Sequence, residues 1–98
     1  MEPLASALPG TIRRLLRQGE MSQGKLEFAW RTAVGAAIDR ACTVRLDDQG
    51  TLEVRAADAA WRRELRHSQG TILRRLQDLL GGEVVKAVRI VGRGGARS

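Results

Sequence analysis

At 98 residues, with 43% apolar and 29% charged side chains, the chain is sized for one domain with a modest core and is too apolar for wholesale disorder. Lys and Arg number 17 against 11 Asp and Glu, giving +6 and a pI near 11.2, a balance that favours polyanionic partners such as nucleic acid or an anionic membrane surface. A single cysteine, Cys42, excludes an intramolecular disulfide and a thiolate metal cluster, and no stretch approaches the ~20 apolar residues that span a bilayer.

Leu4, Leu8, Ile12 and Leu15/Leu16 recur at helical spacing, with Pro9-Gly10 predicting two short pieces or a kink. The start, Met1-Glu2-Pro3-Leu4-Ala5-Ser6, lacks the basic and apolar blocks of a secretion signal, so the chain reads as cytoplasmic. Gly19 marks a stop, and Ser22 is placed to cap a second helix over about Gln23 to Asp39. In that helix Leu26, Trp30, Ala33/Val34, Ala37/Ile38 and Ala41 form a core-facing stripe. Gly35 costs such a helix roughly 1 kcal/mol relative to alanine, which close packing against another backbone would justify.

The period then changes to two. Val44 and Leu46 alternate with Thr43 and Arg45, and Leu52, Val54 and Ala56 with Glu53 and Arg55, around an Asp47-Asp48-Gln49-Gly50 turn. One shared apolar face requires Leu46 opposite Leu52 and Val44 opposite Val54. That register sets Arg45 opposite Glu53, an expected surface ion pair worth about 0–1 kcal/mol. Asp58 is an N-cap candidate for a helix carrying Trp61 and Leu65 inward; a kink at Ser68–Gly70 joins it to a second segment with Ile72/Leu73, Leu76 and Leu79/Leu80, or the two form one bent helix. A last strand over about Val84 to Val91 places Val88 and Ile90 on the core side, and residues 92–98 read as a flexible basic tail after a domain of residues 1–91. The order α-α-β-β-α-(α)-β predicts an α+β fold, a three-stranded sheet with helices on one face, like the KH family of nucleic-acid-binding domains.

Catalysis finds little support. His67 is the sole histidine and flanks the helix break; Asp47-Asp48 suits turn chemistry better than metal binding; and no Gly-rich segment is followed by the Lys-Ser/Thr of a phosphate loop. The chain reads as a non-enzyme without cofactor or metal. Trp30 and Trp61 could stack bases, but both fall on apolar stripes and read as core with Val34, Gly35 and Leu65.

All cations but Lys25 and Lys86 are arginine, which suits phosphate forks and would equally follow from a GC-rich coding genome. The candidate nucleic-acid contacts are Arg13, Arg14 and Arg17 on the first helix, Arg62, Arg63 and Arg66 around Trp61, and Arg74 and Arg75 beyond the break. Arg45, Arg55 and Arg89 are expected on the free sheet face. The alternative is a solvated surface partly neutralised by Glu53, Glu64 and Asp78.

Trp30-x3-Val34-Gly35, Gly50-Thr51-Leu52-Glu53-Val54, Ala60-Trp61-x2-Glu64-Leu65 and Leu73-x2-Leu76-x3-Leu80-Gly81 together resemble the DciA family of bacteria, over about Leu15 to Ile90. The resemblance implies a KH-like domain, contact with DNA, and delivery of the replicative helicase to single-stranded DNA at initiation. Family members with loading activity commonly carry a flexible extension that helps to grip the helicase, whereas only Gly92 to Ser98 follows the last strand here. A Gly-x-x-Gly clamp in the KH context is also absent, since Gly92-Arg93-Gly94-Gly95 follows the last strand. Expected partners are therefore single-stranded or fork DNA and, through the resemblance, the helicase. An RNA- or ribosome-associated protein and a pure protein adaptor are the rivals; no membrane or small-molecule partner is expected.

Overall fold

The computed structural model describes residues 10–92, and the expected helical turns around Leu4 and Leu8 and the tail beyond Gly92 lie outside them. The elements, in chain order, are α1 (Gly10–Arg17), α2 (Gln23–Val34), α3 (Ala36–Ala41), β1 (Cys42–Leu46), β2 (Thr51–Ala56), α4 (Ala59–His67), α5 (Gln69–Leu80) and β3 (Ala87–Gly92). The fold is α+β, and its order is compatible with a KH-like arrangement.

The sheet runs β1-β2-β3. β1 and β2 pair antiparallel in the expected register, Val44 with Val54 and Leu46 with Leu52. β3 lies parallel to β2, Leu52 beside Val88 and Val54 beside Ile90, so α4 and α5 form a crossover connection. Alternation then turns Val44, Leu52, Val54, Ala56, Val88 and Ile90 to one face. On that face they pack with Leu26, Trp30, Leu65, Leu76, Leu79 and Leu80 in a single core.

Local chemistry explains most boundaries. The Ser22 hydroxyl accepts from the Lys25 N–H at 3.1 Å and opens α2; the Asp58 carboxylate accepts from the Ala60 N–H at 2.7 Å and opens α4. In the β1–β2 turn one Asp47 oxygen accepts from the backbones of Gln49 and Thr51 at 2.8 and 2.9 Å. Gly50 completes that turn, and its carbonyl accepts from Lys86 N–H at 2.7 Å, tying the hairpin to the segment that leads into β3.

Several expectations need correction. The helix predicted over Gln23 to Asp39 is two helices, divided at Gly35, whose φ of 93° and ψ of 166° are not helical. The close packing expected there is absent: a methyl group on Gly35 would meet nothing within 4 Å. Its glycine serves a backbone turn rather than a contact. The last strand starts at Ala87, three residues later than Val84, and takes in Gly92 rather than leaving it to the tail. Val85, in the turn before it, is nevertheless fully buried. Trp30 is wholly buried, whereas Trp61 and Val34 are half-buried at the margin of the core.

Two side chains close the sheet edges. The Gln23 amide donates to the Val44 carbonyl at 2.9 Å, and the Gln69 amide donates to the Val88 carbonyl.

Candidate nucleic-acid interface

Helix α4 leaves the sheet directly from the end of β2. Leu65 is buried and Trp61 half-buried, which orients the helix with Arg62, Arg66, Ala59, Arg63 and His67 along the opposite side. These five residues line a shallow hollow of about 480 Å³. Glu64 is turned away from that stripe by the helical repeat, and no acidic residue lines the hollow.

Arg62 has a second duty. It donates to the carbonyls of Ala56 and Ala57, both at 2.8 Å, and its guanidinium lies over Gly92, where a Cβ would approach within 3.6 Å. It thereby joins α4 to the ends of β2 and β3. Arg63 and Arg66 are exposed and make no hydrogen bond or ion pair among the described residues.

The arginines of the other two sets divide similarly. Arg17 donates to the carbonyls of Gln77 and Asp78 at 3.2 and 2.7 Å, in the last turn of α5, where a cation meets the negative end of the helix dipole. Arg13 pairs with the Asp78 carboxylate at 3.1 Å. Arg75 donates to the Ala33 carbonyl at 3.0 Å and so closes the end of α2. Arg14 is exposed and unengaged among the described residues, and Arg74 only approaches the Thr71 hydroxyl at 3.5 Å. The structure thus gathers Arg62, Arg63 and Arg66 around one hollow, while Arg13 and Arg17 hold α1 to the end of α5.

On the free sheet face the predicted Arg45–Glu53 ion pair does not form. Glu53 splits its two oxygens between Arg55 at 3.1 Å and Arg89 at 2.9 Å. Arg45 stands opposite Glu53 in register but makes no ion pair among the described residues. The cause lies in the neighbouring strand: parallel β3 brings Arg89 into register with Glu53, and Arg55 lies two residues along β2 on the same face. Both carboxylate oxygens are therefore occupied.

Groups suited to covalent chemistry are elsewhere engaged or exposed. The Asp47 carboxylate is spent on the turn, and His67 is exposed at the end of α4. Cys42 is half-buried, and burial, reinforced by Asp39, pushes its thiol pKa up from the ordinary value. Alkylation of Cys42 in the native protein is therefore expected to need a higher pH than alkylation of the same cysteine in urea. Iodoacetamide modification followed across pH by mass spectrometry measures this, and coincident pH profiles would contradict it. Among the described residues no group of three or more His, Cys, Asp or Glu could hold a metal ion, and no helix is long and apolar enough to cross a membrane.

The family described as "Dna[CI] antecedent, DciA" matches residues 3–90. Curated relatives include a UPF0232 protein of Mycobacterium marinum, 28% identical over 91 residues, covering 93% of this chain and 49% of that protein. A UPF0232 protein of Mycolicibacterium smegmatis is 32% identical over 75 residues, covering 76% of this chain and 39% of its own length. One of Mycobacterium leprae is 28% identical over 92 residues, 93% of this chain and 48% of the relative. The chain spans about half the length, or less, of these relatives.

Proposed function

The chain belongs to the DciA family, and from that premise we propose that it is a non-enzymatic DNA-binding module that assists loading of the replicative helicase at initiation in the bacterial cytoplasm. It holds single-stranded or fork DNA. The observation that carries this reading is the basic side of α4, where Arg62, Arg63, Arg66 and His67 share a hollow without an acidic lining residue.

Arg62 is anchored to backbone carbonyls and gives the site a fixed element, while Arg63 and Arg66 keep their guanidinium forks free for phosphate oxygens. Such contacts give affinity that is indifferent to sequence and falls with salt, because each phosphate neutralised releases condensed counterions.

The test is fluorescence anisotropy with a labelled single-stranded oligonucleotide, duplex DNA and RNA across a salt series. The native protein is expected to bind single-stranded DNA with a steep salt dependence. Arg63→Glu combined with Arg66→Glu is expected to weaken it and to lower the slope of log affinity against log salt by about 1.4, at ~0.7 per single-strand phosphate contact. Both sites are exposed, so the fold is retained, which circular dichroism checks. Preference for structured RNA would favour the ribosome-associated rival. Flat anisotropy at low salt would remove nucleic acid altogether and leave a protein adaptor.

A further inference from the structure

We propose that the free face of the sheet is a second phosphate-binding face, fitted to the backbone of duplex DNA and turned away from the helix layer that carries the α4 hollow. This rests on the proposed function, because it gives the two arms of a fork separate places on one small domain.

Arg45, Glu53 and Arg89 form a row across β1, β2 and β3, fixed by the register of both strand pairs. With strands roughly 4.8 Å apart, the backbones of the two arginines stand about 10 Å from each other on either side of the carboxylate. Arg55 lies next along β2. The face therefore carries three cations and one anion.

Glu53 organises rather than silences this set. Its side chain is only 20% exposed and grips one Nη2 each of Arg55 and Arg89, whose side chains remain 35% and 60% exposed. Each guanidinium is oriented by one contact and keeps other N–H groups for a ligand. Arg45 is exposed and without an acid partner among the described residues. Thr43 is exposed beside it and adds a hydroxyl.

The occupant follows from what the face lacks. Its side chains are Thr43, Arg45, Thr51, Glu53, Arg55, Ala87, Arg89 and Val91, with no ring on which a single-stranded base could stack, whereas the α4 hollow holds the His67 imidazole. Binding must then come from phosphates. A duplex offers them at the higher density, one charge per ~1.7 Å of axis, on a surface broad enough for a three-stranded sheet.

Duplex and single-strand binding are measured across a salt series for the native protein, Arg45→Ala with Arg89→Ala, Glu53→Gln, and Arg63→Glu with Arg66→Glu. The double alanine variant is expected to lower the duplex salt slope by about 1.8, at ~0.9 per contact, and to leave single-strand binding unchanged. Glu53→Gln is expected to tighten duplex binding, a gain that misfolding cannot imitate. If either variant leaves duplex binding unaltered the second face is overturned, while loss of single-strand binding in the α4 variant keeps the first reading intact. If no nucleic acid binds the native protein, both fall together.

Discussion

Replacing Trp30 by alanine is expected to unfold the domain or bring it close to unfolding. Trp30 is fully buried beside Leu26 and Ala33 on α2, and its removal opens a large cavity in the single core. Such truncations cost about 3–5 kcal/mol, while a domain of this kind has roughly 5–15 kcal/mol in all. Trp61→Ala, at the core margin, is expected to cost no more than about 1–2 kcal/mol, since only part of its apolar surface is withdrawn from water. Trp30→Phe separates volume from polarity. Phenylalanine removes the buried indole Nε1 and leaves a smaller void than alanine. Urea denaturation of the three variants should order them Trp30→Ala, then Trp61→Ala, then Trp30→Phe, from least stable to most. Equal midpoints for the two alanine variants would refute the assignment of Trp30 as the central residue.

Gly35→Ala is expected to destabilise by about 1–3 kcal/mol, the cost of holding a non-glycine residue in a region of φ and ψ reserved for glycine. The sign is informative. Were α2 and α3 one continuous helix, the same substitution would stabilise by roughly 1 kcal/mol through helix propensity. No neighbouring atom lies within 4 Å of the added methyl, so a steric clash cannot blur the comparison. Thermal unfolding followed by circular dichroism decides it: a raised midpoint contradicts the break between the helices, and a lowered one supports it.

These two residues also mark how far local pattern reaches. The strand register, the Asp47–Gly50 turn and the Ser22 and Asp58 caps rest on signals within a few residues, and the structure carries them all; the interruption expected over Ser68–Gly70 is confined to Ser68, with Gln69 and Gly70 already in α5. Gly35 misled because an isolated glycine in a helical stripe looks the same whether it bridges a contact or breaks the chain. The basic stripe of α4 was legible for the same local reason: Trp61 and Leu65 fix the buried side, and the helical repeat fixes the rest. The internal duties of Arg17 and Arg75 were not legible, because their acceptors lie 60 to 61 and 42 residues away. Likewise, only the parallel placement of β3 reveals that Arg89 rather than Arg45 meets Glu53.

The glutamine amides on the two outer strands bear on how the domain behaves in company. An open strand edge is a template on which further chains can polymerise, and many proteins guard it with repulsive charge. Here each outer strand is guarded by a neutral amide from a helix, Gln23 of α2 at the middle of β1 and Gln69 of α5 near the start of β3, which a newcomer would have to displace before pairing. Under the proposed DNA-binding role charge would be a poor sentinel, since phosphates gathered on a basic protein would cancel the very repulsion that keeps copies apart. A guard made of hydrogen bonds keeps its strength when that charge is neutralised.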